Sequence, residues 1–132
     1  MKILITGGTT FVSRYAAEHF VSKGNEVFVL NRNSRPQSQG VHLINCDRLN
    51  LGNKFADEHF DLILDITAYT DEHIKALLKS GVSFDDYIFI SSSAVYPETN
   101  PQPFAENQTC GKKSVRGDYG INKLNAEKYL LD

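Results

Sequence analysis

Residues 2–13 read Lys2-Ile3-Leu4-Ile5-Thr6-Gly7-Gly8-Thr9-Thr10-Phe11-Val12-Ser13. Ile3, Leu4 and Ile5 are a short apolar run of the kind found in a strand buried on both faces. Gly7 and Gly8 follow at once, and helical spacing begins at Phe11. A buried strand, a glycine turn and a helix, in that order, make a site for a nucleotide diphosphate. The glycines let backbone approach phosphate, and the helix start offers unpaired N–H groups with a partial positive charge. In the Gly-x-x-Gly-x-x-Gly spacing Gly7 fits, while Thr10 and Ser13 stand at the other two positions. The Thr10 hydroxyl can donate to a pyrophosphate, and Ser13 is small enough for close helix–strand packing. Taken without their position, the two glycines read equally well as a structural turn.

Working outward, residues 11–23 read as a helix whose sheet-facing side is Phe11, Tyr15, Ala16, His19 and Phe20. Gly24 stands where a left-handed stop is expected. Residues 26–31 form a second buried strand, 32–40 a polar loop, and 41–46 a third strand ending at Asp47-Arg48. Residues 50–59 read as a weak helix or an irregular crossover. A fourth strand is expected at 61–67, a helix at 71–80 stopped by Gly81, and a fifth strand at 87–91. Residues 92–117 carry three prolines and no periodicity, which reads as a long loop that carries function or is disordered. The last helix starts at about Asp118. Strands alternating with helices imply parallel units with right-handed crossovers. The expectation is an α/β, Rossmann-like, doubly wound parallel sheet of about five strands in the order 3-2-1-4-5. Its glycine turn then lies at the switch point where such sheets bind ligands.

A length of 132 residues suits one domain. A formal charge of -2 gives no electrostatic case for a nucleic-acid or membrane partner, and no apolar run approaches a membrane span. Cys46 and Cys110 form no framework, which fits a reducing cytoplasm. The four histidines are dispersed, so no metal site is expected.

Four motifs carry chemistry. At the end of the second strand a carboxylate accepts from the ribose 2′-hydroxyl of NAD, whereas an Arg suits the 2′-phosphate of NADP. Here Asn31 is neutral, and Arg32 and Arg35 follow, so NADP is favoured over NAD; solvated loop arginines are the plain alternative. Asp47 and Arg48, closing the third strand, lie on the adenine side, where Asp47 can accept from the adenine amino group or simply cap the loop. Ser91-Ser92-Ser93-Ala94-Val95-Tyr96 ends the fifth strand, on the edge where reacting groups sit. Tyr119-x-x-x-Lys123 places both side chains on one helix face. A tyrosine with an ordinary pKa of about 10 is a poor base at neutral pH, and a neighbouring ammonium favours its phenolate. Tyr119 can then exchange a proton with a substrate hydroxyl while hydride moves between the same carbon and a nicotinamide. Lys123 would also hold the nicotinamide ribose, and Ser92 would steady the substrate oxygen.

These residues, in this order, resemble the extended branch of the short-chain dehydrogenase/reductase superfamily, the NAD(P)-dependent nucleotide-sugar epimerases and dehydratases. The resemblance rests on 5–12, Asp47, 91–96 and Tyr119-x-x-x-Lys123. It implies Ser92, Tyr119 and Lys123 as catalytic. It implies a cofactor site of Gly7, Thr10, Phe11, Val12, Asn31, Arg32, Asp47, Arg48, Ile66, Thr67, Ala68, Tyr119 and Lys123, with a nucleotide-sugar-like substrate. The 5–12 motif is also similar to a subgroup containing plastid proteins related to RNA-binding ones. Branch members continue well past the catalytic helix, so the expectation is an N-terminal portion without its substrate lobe. A non-catalytic NADP(H)-binding or regulatory module is the alternative. The uncovered edge of the fifth strand predicts self-association.

Overall fold

The computed structural model describes residues 1–111 and 117–132. Five parallel strands form one sheet: β1 (Lys2–Thr6), β2 (Glu26–Asn31), β3 (His42–Asn45), β4 (His59–Asp65) and β5 (Ser83–Phe89), ordered β3-β2-β1-β4-β5. This is the predicted order. Among the described residues there are also three helices, α1 (Phe11–Ser22), α2 (Asp71–Leu78) and α3 (Tyr119–Leu131), and 3₁₀ turns at Arg48–Asn50 and Ser93–Val95. Ile5 of β1 stands between Val29 of β2 and Leu64 of β4. Both faces of β1 are therefore covered: Ile3 and Ile5 pack with Val27, Val29 and Ala17, while Leu4 packs with Leu30, Phe60, Ile63 and Leu77. Each such aliphatic side chain stabilises by about 1.5–3 kcal/mol. Ala68, Ile74 and Ala126 form a third cluster joining α2 to α3.

The packing face of α1 differs from the predicted one. Phe11 and Tyr15 are 93% and 72% exposed, whereas Ser13 and Ala17 are buried. The reason is the closeness of the seam. A Cβ at Gly7 would lie 3.0 Å from Ser13 Oγ, and one at Gly8 would lie 2.5 Å from Val29 Cγ1. Small side chains therefore take the seam, Ala16 and Phe20 pack beside it, and the bulky aromatics turn outward.

Strand β4 runs two residues earlier than expected. The N–H groups of Ile66 and Thr67 leave the ladder and donate to Thr6 Oγ1 at 2.9 and 3.0 Å. Strand β5 begins at Ser83, because Phe84 pairs in register with Phe60; Asp85 and Asp86 hid it, though charges are well tolerated on an edge strand. The 50–59 crossover is a string of turns anchored by buried Leu51 and Phe55. The long loop contains the 3₁₀ turn Ser93–Val95, and its residues 112–116 lie outside the described ones. No helix among the described residues is long and apolar enough to cross a membrane.

Candidate functional site

A cleft of about 360 Å³ opens at the carboxyl ends of β1, β2, β3 and β4, a volume in the range of small-molecule sites. Six predicted residues line it: Gly7, Asn31, Arg32, Asp47, Arg48 and Thr67. Gly7, at φ +96°, donates its N–H to Leu30 O at 2.9 Å and so ties the turn to β2. The first N–H groups of α1 have no carbonyl one turn earlier within the helix. Asn31 Nδ2 donates to Gly7 O at 2.7 Å and to Gln37 Oε1 at 3.0 Å, which pins the turn to the 33–37 loop. Asp47 Oδ1 accepts the Leu49 N–H at 2.9 Å, the capping role that the plain reading gave it.

Beneath the cleft lies a buried charge that the sequence reading passed over. Asp65, 0% exposed at the end of β4, receives both terminal nitrogens of Arg48 at 2.8 Å, the Thr6 hydroxyl at 2.7 Å and the Tyr87 hydroxyl. Burial opposes its charge, but Arg48, Tyr87 and Thr6 outweigh that and hold the carboxyl below its ordinary range. Burial and the neighbouring Asp65 push the Tyr87 phenol far up, so it stays protonated and donates. Arg48 also donates to His73 O at 2.8 Å. Both terminal nitrogens of the guanidinium are thus occupied by protein, while its buried Nε has no hydrogen-bond partner among the described residues. The signal was present in sequence: an Asp within Leu62-Ile63-Leu64-Asp65-Ile66 must be paired if the strand is buried.

The trio at the other side of the rim is brought to one end of the sheet. Lys123, 2% exposed, donates from Nζ to Ala68 O at 2.7 Å and Ile90 O at 2.8 Å, beyond the ends of β4 and β5. Its ammonium lies 4.6 Å from the Phe89 ring centroid and 5.6 Å from that of Tyr69. Burial lowers its pKa from the usual lysine value. Tyr119, half-buried one helical turn earlier, has its ring 6.1 Å from that of Tyr69, and Tyr69 in turn lines the cleft. Ser92 Oγ accepts the Ala94 N–H at 3.1 Å and caps the 3₁₀ turn. Helix α3 lies directly on that turn, since a Cβ at Gly120 would fall 2.0 Å from Ala94 O.

The remaining predicted residues do not line the cleft, and Ile66 packs against the Ile3–Ile5 cluster. Thr10 precedes α1 with no side-chain cap, and its carbonyl accepts Ser13 Oγ. Phe11, at φ +42°, and Val12, 60% exposed, project from the turn. Ala68 is buried with its carbonyl on Lys123. Sequence reasoning also missed Cys46, Leu49, Tyr69 and His73 as lining residues: Cys46, Leu49 and Tyr69 follow strand ends where no periodicity places them, and His73 stands in the first turn of α2, whose apolar spacing marks only its core-facing side. At the opposite, amino end of the sheet, exposed His59 and Asp85 and half-buried Asp61 converge with ligand atoms within 4.8 Å. Asp61 already accepts the Lys2 N–H at 2.6 Å, and His59 pairs with Asp85 at 3.4 Å.

The profile of the NAD dependent epimerase/dehydratase family matches residues 3–76 and 61–132. The chloroplast stem-loop binding protein of 41 kDa b of Arabidopsis thaliana is 26% identical over 132 residues, covering 86% of this chain and 35% of that protein. A UDP-glucose 4-epimerase structure aligns with TM-score 0.82 at 21% identity, covering 98% of this chain and 46% of its own. The Bordetella bronchiseptica enzyme WbmG, solved with NAD and UDP, aligns with TM-score 0.76 at 20% identity, covering 99% and 49%. The dehydratase TunA aligns with TM-score 0.74 at 19% identity, covering 96% and 48%. The chain therefore spans less than half the length of each of these proteins, and the structural likeness is one of fold. With the profile matched from the first strand through the last helix, the chain belongs to the NAD dependent epimerase/dehydratase family.

Proposed function

We propose that residues 1–132 are an NAD(P)-binding Rossmann domain carrying the reacting groups of an epimerase, dehydratase or reductase for a nucleotide-sugar-like substrate. The observation that carries this reading is the Lys123 ammonium, held by Ala68 O and Ile90 O at the carboxyl rim, one helical turn from Tyr119. The cleft fits a dinucleotide by the chemistry of its donors. The glycine turn and the start of α1 would hold the pyrophosphate, with Thr10, Phe11 and Val12 at its edge. Asn31 and Arg32 would face the 2′-position, Asp47 and Arg48 the adenine, and Ile66, Thr67 and Ala68 the run along the end of β4. A bound nicotinamide supplies the hydride acceptor or donor. Tyr119 takes up or returns the proton of a substrate hydroxyl, Lys123 favours the phenolate beside it, and Ser92 donates to the substrate oxygen.

Calorimetric titration with NADP and NAD is expected to show binding of both, tighter for NADP. In a UDP-sugar turnover assay Tyr119→Phe is expected to lower kcat by about 10²–10⁴-fold. Unchanged turnover would overturn the catalytic assignment and leave a binding module. The name of the plant relative supports a second reading, stem-loop binding, which a labelled stem-loop oligonucleotide in the same titration tests. The formal charge of -2 favours the dinucleotide.

A further inference from the structure

Tyr69 leaves a large aromatic ring 52% exposed at the edge of the cleft, flanked on one side by His73 (centroids 6.2 Å) and on the other by Tyr119 (6.1 Å). It has a fixed anchor. His73 is the third residue of α2, and Tyr69 immediately precedes the helix cap Thr70. The Tyr69 N–H reaches His73 Nδ1 at 3.0 Å, a variant of the reciprocal capping in which a third-position side chain bonds back to the N-terminus. A backbone N–H can only donate, so Nδ1 offers its lone pair and any proton of the neutral ring is on Nε2. The backbone of His73 is fixed as well, since its carbonyl accepts Arg48 from the Asp65 network.

We propose that His73 is a positioning residue: by accepting the Tyr69 N–H at Nδ1 it sets the Tyr69 ring as the wall between the cleft and the Tyr119–Lys123 pair. The proposal rests on the dinucleotide reading of the cleft. Charged groups face His73 from every neighbouring element: Arg48 in the 3₁₀ turn, Asp65 ending β4, Asp47 preceding the turn, and Lys123 in α3. Burial, then Arg48, hold the imidazole below its ordinary value of 6.5 against the opposing pull of Asp65 and Asp47. It is therefore neutral at physiological pH. Protonation as pH falls below that value removes the Nδ1 lone pair, frees the Tyr69 N–H and loosens the wall. A charge effect alone would do the reverse, since an added cation beside Arg48 tightens binding of a phosphate-bearing ligand.

The test has two arms. In the free protein, ¹⁵N NMR at neutral pH is expected to show His73 with unprotonated Nδ1, and the Tyr69 amide signal is expected to shift as His73 titrates. In the second arm, NADP and NAD are titrated into wild type, His73→Ala and His73→Asn, with circular dichroism confirming that each variant is folded. His73→Ala is expected to weaken binding about ten-fold at neutral pH. His73→Asn, which keeps an acceptor near the Nδ1 position but cannot titrate, is expected to bind like wild type and to lack its loss of affinity in acid. A proton on Nδ1, an Asn variant as weak as the Ala variant, or tighter wild-type binding in acid would each overturn the proposal. Failure of folded wild type to bind either dinucleotide would instead overturn the reading of the cleft, while the NMR arm still decides the His73–Tyr69 bond.

Discussion

Asp65 shows how one side chain can govern a whole sheet edge. It gathers Thr6 from β1, Tyr87 from β5 and Arg48 from beyond β3, and through Arg48 it reaches α2. A buried pair of this kind is weak evidence of net stabilisation, yet removing one partner strands the other. Asp65→Asn keeps the shape but leaves the Arg48 guanidinium uncompensated, so it is expected to cost about 3–5 kcal/mol, read as a lower midpoint in urea unfolding. The pH dependence has a definite sign. The folded carboxyl titrates below its ordinary 3.8, so its contribution is complete above that value and disappears as pH falls through the folded one. Wild type is expected to lose stability in acid more steeply than Asp65→Asn, and parallel acid-unfolding curves for the two would contradict this.

At the level of elements, the contact that organises the candidate site is α3 against the Ser93–Val95 turn. Gly120 permits it. Replacing a helical Gly with Ala ordinarily gains about 1 kcal/mol, but here the new Cβ would sit 2.0 Å from the Ala94 carbonyl oxygen. That contact is with backbone and cannot be relieved by turning a side chain, so the steric cost outweighs the propensity gain. Gly120→Ala is expected to destabilise by more than about 2 kcal/mol and to weaken dinucleotide binding, because α3 carries Tyr119 and Lys123 with it. Thermal unfolding checks the first effect and calorimetry the second; a stabilised variant would show that the helix does not sit where described. The same logic explains α1. Its amphipathic pattern pointed to Phe11 and Tyr15 as the buried face, whereas the short separation at the glycine turn selects Ser13 and Ala17.

For the molecule as a whole, β5 pairs with β4 and with no other strand among the described residues. Ile88 in β5 and Ile90 just after it are 48% and 38% exposed. An edge strand presents unpaired backbone groups to another chain; Asp85 and Asp86 oppose such pairing at one end of β5 while exposed Ile88 favours it at the other, so the chain is expected to self-associate as its concentration rises. Light scattering checks this across a concentration series, and a monomeric mass throughout would contradict it.

Strand order and the glycine turn at the switch point were legible from sequence, because buried parallel strands are continuous apolar runs and their order follows from connection rules. Strand ends were less legible: β4 stops where Thr6 captures two N–H groups, and β5 begins among charges that an edge tolerates. The Asp65 network, the Gly120 contact and the Tyr69–His73 bond join residues whose partners are set by three-dimensional approach, with no periodic spacing to announce them. Local pattern thus decided which elements form and in what order. Only the packed structure decided which polar side chains meet, since burying a charge or a backbone group obliges it to find a partner wherever the fold has brought one.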